Sequence, residues 1–208
     1  MDIPINYLES IVELFKRFGV KSQTMDDIAR QLGISKKTLY KYFSDKNDLV
    51  VKSMDFIIQL DCKHMDEIKR QKLNAIDENF SVSRHVLNQF KDIHPSVWYD
   101  LNRYHPKAMK IMDDFTHNVI FNWVCDNMKR GIEEGLYRED LQIPIIGGIY
   151  ISRIKDFFNP LIFDNNRYSF ADIYMETFRY HIRGIASEKG LEVLKEKVNQ
   201  TKIIKNEF

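Results

Sequence analysis

Apolar residues recur at helical spacing along most of the chain, so the pattern predicts helices from end to end. Residues 5–18 carry an apolar position every three or four residues, and Gly19 follows where a left-handed C-cap is expected. Later helices are predicted near 76–93, 95–103, 105–130, 143–163, 169–187 and 188–203. The β-branched runs are short and do not alternate with polar residues, so no strand is predicted. The pattern therefore predicts an all-α fold.

Shorter helices are predicted between the first helix and residue 70. Thr24 is suited to cap a helix that Gly33 ends. Ser35 is suited to cap the next helix, over residues 36–43. A longer helix is then expected from about Lys46 towards residue 70, and it would join the N-terminal region to the rest of the chain without a flexible linker.

The spacing of residues within this region predicts a helix-turn-helix over residues 25–44. Such a motif needs a small residue where its two helices touch, and Ala29 occupies that position. It also needs a residue that tolerates a positive φ at the turn, and Gly33 follows four residues later. Ile28 and Leu39 supply apolar anchors from the two helices. A helical hairpin without a DNA-binding role is the alternative that the same spacing leaves open.

Charge is concentrated in the same region. The whole chain carries a formal net charge of +1, which indicates no particular partner. Between Arg30 and Lys46, however, five basic residues stand against one acidic residue. A short basic segment in an otherwise slightly acidic chain is typical of a small nucleic-acid contact.

The second helix of the motif would present lysines and hydroxyl groups to DNA. Lysine can bind guanine acceptors or phosphates, and the hydroxyls of Thr and Tyr suit phosphate oxygens. The alternative for the lysines is an ordinary solvated helix face. The outward positions are Lys36, Lys37, Thr38, Tyr40, Lys41 and Tyr42.

The stretch FGVKSQTMDDIARQLGISKKTLYKYFSDKNDLV resembles the N-terminal DNA-binding region of the TetR family of repressors. The T-L-Y-x-Y-F-x-x-K run, which begins at Thr38, carries much of this resemblance, and the likeness is close over about residues 8–55. It implies that Thr24 and Lys46 contact phosphates and that Lys36, Lys37 and Lys41 reach bases or nearby phosphates. The predicted DNA contacts are Thr24, Ser35, Lys36, Lys37, Thr38, Tyr40, Lys41, Tyr42 and Lys46.

The resemblance also implies a two-domain organisation and a homodimer. We expect an N-terminal three-helix domain at residues 1–48, followed by an all-helical effector-binding and dimerisation domain at 49–208. The segment GIEEGLYREDL resembles the turn that many members carry before their first dimer helix. A two-fold dimer would match a palindromic double-stranded operator. The candidate interface residues are Ile149, Ile154, Phe157, Leu161, Ile173, Phe178 and Tyr180.

The middle of the chain is rich in aromatic residues, which suit the wall of a cavity for a hydrophobic or aromatic effector. The candidate effector contacts are Trp98, Tyr104, Phe115 and Trp123. Packing in a helical core is the alternative for each of them. We expect a repressor that a small molecule releases from DNA. A DNA-bound adaptor that engages a protein partner is the second hypothesis.

Other classes of function have little support in the sequence. The six histidines and two cysteines are scattered without the spacing of metal ligands, so neither a metal nor a cofactor is predicted. Neither a nucleophile motif nor a phosphate-binding loop indicates an enzyme. The first ten residues lack a signal-peptide pattern, and no apolar run is long enough to span a membrane. We therefore expect a cytoplasmic protein.

Overall fold

The computed structural model describes residues 3–90, 92–94, 96–159, 161–164 and 167–203. Within these ranges the chain is helical and forms no strand, which confirms the predicted all-α class. One isolated bridge joins Tyr137 to Ala186. Among the described residues, no helix is both long and apolar enough to cross a membrane.

The α-helices largely follow the predicted order. Their bounds are α1 Ile5–Phe18, α2 Met25–Gln31, α3 Lys36–Tyr42, α4 Lys46–Arg70, α5 Ala75–Phe90, α6 Ser96–Tyr104, α7 Pro106–Phe115, α8 Phe121–Glu133, α9 Ile143–Ser152, α10 Phe170–Ile185 and α11 Glu188–Ile203. The predicted start of the sixth helix, at residue 95, lies outside the described residues.

Two of the predicted long helices are interrupted. The one expected over 105–130 is split by a π-helical turn, Thr116–Ile120, which separates α7 from α8. The one expected over 143–163 ends at Ser152 and is followed by a 3₁₀ turn, Ile154–Phe158. Apolar residues occupy most positions of this second stretch, so its periodicity could not locate the end of the helix.

Contacts between residues divide the chain into two compact units. The first contains Met1–His64 and Phe90–Thr116, and the second contains Met65–Gln89 and His117–Phe208. The first unit therefore includes the predicted helix-turn-helix together with α6 and α7. The predicted boundary at residue 48 stays a prediction.

The second unit is organised around the segment that follows α8. The side chain of Tyr137 is buried, and its hydroxyl donates to Asn127 Oδ1 at 3.1 Å. Asn127 Nδ2 donates in turn to the buried carboxylate of Glu78 at 2.9 Å, and Arg130 forms an ion pair with the same carboxylate at 2.6 Å. Burial raises the pKa of Tyr137, so the phenol stays protonated and keeps its role as a donor.

Gly131 allows the ring of Tyr137 to lie directly against α8. A Cβ built at Gly131 would lie 2.1 Å from Tyr137 Cδ2, which is closer than any ordinary contact. The main-chain carbonyl of Gly131 also accepts from the N–H groups of Leu136 and Tyr137. The first glycine of the GIEEGLYREDL segment is thus required by packing, in addition to its place at the end of a helix.

We predict that Gly131→Ala destabilises the protein by about 1–3 kcal/mol, because the added methyl group forces the ring of Tyr137 out of its site. Thermal unfolding measured by circular dichroism tests this. Gly148→Ala in α9 is the matched control, since nothing lies within 4 Å of its ideal Cβ. The control is expected to be neutral or stabilising by up to about 1 kcal/mol. Equal midpoints for wild type and Gly131→Ala would contradict this description of the packing.

Candidate nucleic-acid interface

Helices α2 and α3 form the helix-turn-helix, and local signals define both of them. Thr24 accepts from the main-chain N–H of Asp27 at 3.2 Å, and Asp27 accepts in return from that of Thr24, which completes a capping box. Ser35 caps α3 by accepting from the N–H of Thr38 at 3.0 Å. Each helix has only seven residues, so the N–H groups of its first turn, which have no partner within the helix, are a large share of its main-chain donors. The caps supply acceptors for some of these groups.

The turn between the two helices depends on the conformation of Gly33. Its φ is +66°, and nothing lies within 4 Å of an ideal Cβ at this position. The backbone angle, rather than crowding, therefore favours glycine here. The N–H of Ile34 donates to the carbonyl of Ala29 at 3.0 Å and closes the turn, while Ala29 itself is buried in the core of the first unit.

Helix α3 buries one side and leaves its basic side chains outside. Leu39 is completely buried in the core of the first unit, as is Phe43 just after the helix. By contrast Lys36, Lys37 and Lys41 are exposed. Three lysines on the solvated side of one short helix give it a positive surface that phosphates or base acceptors could contact.

The remaining predicted contacts on α3 differ in how far they are already engaged. Tyr40 is exposed, and Thr38 and Tyr42 are partly buried. The hydroxyls of Ser35 and Thr38 lie 2.8 Å apart and share a hydrogen bond. The ring of Tyr42 packs edge-on against that of Tyr7, with 5.9 Å between centroids. These side chains are therefore partly fixed before any ligand binds.

Two of the lysines have partners within the chain. Lys36 forms an ion pair with Asp26 at 2.7 Å, and hydrogen bonding to that carboxylate raises the pKa of Lys36. Both side chains are exposed, so a phosphate could displace Asp26 at little cost. Lys46 is partly buried at the start of α4, and its Nζ donates to the carbonyl of Lys21 at 3.1 Å. Partial burial lowers the pKa of Lys46.

The four candidate effector contacts do not share one unit. Trp98, Tyr104 and Phe115 belong to the first unit, whereas Trp123 belongs to the second. Trp98 stacks on Phe90, with 6.1 Å between ring centroids. Tyr104 lies on the surface, where its hydroxyl accepts from Lys21 Nζ at 2.9 Å. These contacts account for Trp98 and Tyr104 without a ligand, and their effector role stays a prediction.

Phe115 and Trp123 are both buried. The indole Nε1–H of Trp123 is enclosed and meets no hydrogen-bond acceptor among the described residues. A buried donor without an acceptor costs free energy, so such groups are found where a water or a ligand supplies one. The surroundings of Trp123 thus favour a ligand.

The second unit also contains polar aromatic side chains that were not predicted as effector contacts. Tyr174 is buried and interacts with the polar side chains of Tyr150 and Ser83, and burial raises its pKa well above the usual value. The ring of His181 lies 4.6 Å from that of Tyr150, and burial lowers the pKa of His181 to about 4. Tyr174 and His181 are seven residues apart on α10, so two-turn spacing was the signal that could have indicated this cluster.

The candidate dimer residues fall into two groups. Ile173 and Phe178 are buried in cores of their own chain, because α10 packs its apolar stripe inward, and Phe157 of the 3₁₀ turn is buried beside Ile173. Ile154 is partly buried. The exposed group keeps an apolar surface available, with fractional exposures of 48% for Ile149, 93% for Leu161 and 74% for Tyr180. Its role in a dimer stays a prediction.

The part of the chain that the structure describes contains no cluster of candidate metal ligands. No three side chains among its His, Cys, Asp and Glu residues are grouped so that they could hold a metal ion.

The N-terminal region is similar in sequence to a known protein family. Residues 8–52 match the family described as bacterial regulatory proteins, tetR family. The uncharacterized HTH-type transcriptional regulator YvaF of Bacillus subtilis is 29% identical over 109 residues, 52% of this chain and 57% of that protein. An HTH-type transcriptional regulator of Staphylococcus aureus is 34% identical over 85 residues, 41% of this chain and 45% of that protein. The chain thus spans about half the length of the curated relatives it matches.

Solved structures extend the similarity to most of the chain. A transcriptional regulator from Saccharomonospora viridis in complex with choline has a TM-score of 0.71 at 16% identity, covering 88% of this chain and 97% of that one. FadR from Bacillus subtilis in complex with stearoyl-CoA has a TM-score of 0.64 at 16% identity, covering 87% and 98%. At such identities the likeness concerns the fold. The predicted architecture, a helix-turn-helix domain followed by a helical domain, is confirmed.

Proposed function

We propose that this chain is a transcriptional repressor of the TetR family that binds a palindromic DNA operator as a homodimer. The observation that carries the proposal is the pair of capped helices α2 and α3. They bury Ile28 and Leu39 completely, and α3 leaves Lys36, Lys37 and Lys41 outside. In a helix-turn-helix, this outer face of the second helix enters the major groove.

The side chains around α3 would contact two different parts of the DNA, the base edges and the phosphate backbone. Lys37 and Lys41 would reach base edges or nearby phosphates, as would Lys36 after release from Asp26. The hydroxyls of Thr24, Ser35, Thr38, Tyr40 and Tyr42 would hold the motif on the backbone. An ammonium group has three N–H donors, so Lys46 can keep its bond to the Lys21 carbonyl and still contact a phosphate.

A homodimer is proposed because one short motif contacts too few base pairs to be specific. The exposed apolar side chains of α9, α10 and the segment between them supply a surface for it. They are Ile145, Ile149, Leu161, Ile162 and Tyr180. A two-fold arrangement would present two copies of α3 to two half-sites.

A small hydrophobic effector is proposed to bind in the second unit. The indole N–H of Trp123, which meets no acceptor among the described residues, could donate to the effector. Tyr150, Tyr174 and His181 provide further polar groups in the same unit. Stearoyl-CoA and choline, which accompany the two neighbours of similar fold, indicate chemical classes to try first. The effector would release DNA by binding the DNA-free form more tightly than the DNA-bound form.

The division of roles predicts different results for two lysines. Lys46→Ala should weaken binding to all duplexes and reduce the slope of log K against log salt concentration by about one, because one phosphate contact is lost. Lys37→Ala should instead change the order of preference among operator variants. Fluorescence anisotropy with duplexes selected from a random pool, repeated over a range of salt concentrations, measures both effects.

Lys129→Ala is the matched control for these variants, because Lys129 is an exposed lysine of the second unit that pairs with Asp126. It is expected to leave affinity and preference nearly unchanged. An unchanged salt slope for Lys46→Ala would remove Lys46 from the phosphate contacts. Uniform weakening for Lys37→Ala would make Lys37 a phosphate contact and not a base contact.

Effector gating predicts that an acyl-CoA, a quaternary ammonium compound or another lipophilic ligand releases the protein from its operator. Trp123→Phe keeps an aromatic ring at this position but removes the N–H together with the second ring of the indole, so it should weaken binding of that ligand by about tenfold, close to the value of one hydrogen bond. Titration of the protein–DNA complex measures the release, and isothermal titration calorimetry measures ligand binding by wild type and variant. If no ligand class releases DNA, gating fails, and a protein partner becomes the better explanation of the second unit.

A further inference from the structure

The loop between α1 and α2 is bound by a buried carboxylate from α6. Asp100 is 4% exposed, and its Oδ2 accepts from the main-chain N–H of Val20 at 3.1 Å and from that of Lys21 at 2.9 Å. Ser96 Oγ donates to the same oxygen at 3.3 Å. Hydrogen bonds to an ionised acceptor are about twice as strong as neutral ones. All four residues belong to the first unit.

The same loop is in close contact with the beginning of α6. Gly19 has a φ of +82°, and a Cβ built there would lie 2.4 Å from Ser96 Oγ. The N–H of His94 donates to the carbonyl of Lys16 at 2.6 Å, which ties the end of α1 to the segment before α6. The loop and α6 are therefore fitted to each other by shape as well as by hydrogen bonds.

Lys21 is held at three of its groups. Asp100 accepts from its N–H, and Lys46 Nζ from α4 donates to its carbonyl at 3.1 Å. Its own Nζ donates to the hydroxyl of Tyr104 and lies 4.5 Å from the centre of that ring. Thr24, which caps α2, follows only three residues later. The position of Lys21 thus limits where α2 can begin.

We propose that Asp100 is a positioning residue for DNA binding, whose carboxylate fixes the α1–α2 loop and thereby the start of the helix-turn-helix. The inference rests on the proposed function and adds to it a residue remote in sequence from the motif. Without the carboxylate, the buried N–H of Val20 loses its acceptor, and the loop is free to adopt other conformations.

The sign of the effect separates this role from simple electrostatics. Asp100→Ala removes a negative charge from the DNA-binding unit, and charge alone would strengthen the attraction to phosphates. A positioning role predicts the opposite result, a loss of operator affinity of about tenfold or more, with an unchanged salt slope because no phosphate contact is lost. Asp114→Ala is the matched control, since Asp114 is an exposed acid on α7 that pairs with Lys110. Its affinity should stay equal or rise slightly.

The test combines anisotropy titrations on a selected operator with amide hydrogen exchange of the free protein, followed by NMR. In Asp100→Ala the amides of Val20 and Lys21 should exchange faster, whereas those of α8 should keep the wild-type rate. Asp100→Asn retains an acceptor oxygen of the same shape, so its affinity and exchange rates should lie between those of wild type and Asp100→Ala. The same conservative variant decides the matter if Asp100→Ala does not fold.

Each part of the proposal can fail separately. A wild-type protein that binds no selected duplex would overturn the proposed function. The positioning role alone would be overturned if the wild-type protein binds tightly and both Asp100→Ala and Asp100→Asn bind as tightly or more tightly. Unchanged exchange of the Val20 and Lys21 amides in both variants would overturn it as well.

Discussion

The apolar contacts beneath α2 and α3 are the constraint on which the DNA-binding surface depends. Helices of seven residues are not stable in water by themselves. Ordering the first turn fixes several residues for a single hydrogen bond, and a short helix adds too few further bonds to offset that cost. Ile28, Leu39 and Phe43 are completely buried and pack with residues of α1, α4 and α6. The surrounding unit therefore supplies the stability that the motif lacks, and the lysines of α3 are presented on a fixed support.

Local features of this region could be predicted from the sequence because each depends on neighbours a few residues away. The caps at Thr24 and Ser35 and the positive φ at Gly33 lie where the residue types indicated. The bonds from Asp100 to Val20 and Lys21 could not be predicted in this way. They join residues about 80 positions apart, and only the packing of α6 brings them together.

The aromatic middle of the chain and the second unit were harder to predict for a related reason. Composition identifies aromatic residues there but does not indicate which way each ring faces. Tyr104 lies on the surface of the first unit beside Lys21, while Trp123 is buried and its N–H meets no acceptor in the part of the chain that the structure describes. Ile173 and Phe178, expected at a dimer surface, lie on the apolar stripe that α10 turns toward the core of its own chain, and their place in a dimer stays a prediction.

Operator recognition has two requirements, a rigid motif and a second copy of it. The first unit supplies a motif whose caps, turn and buried anchors are in place. A specific operator then requires that two such motifs keep a fixed separation, which the exposed apolar residues around α9 and α10 are proposed to provide.

Chemical footprinting of a selected operator tests the central claim most directly. The account predicts two protected stretches of major groove related by two-fold symmetry. Their centres should be about 34–36 Å apart, or a whole multiple of that distance. Protection of a single stretch without symmetry, or of the minor groove alone, would contradict the account.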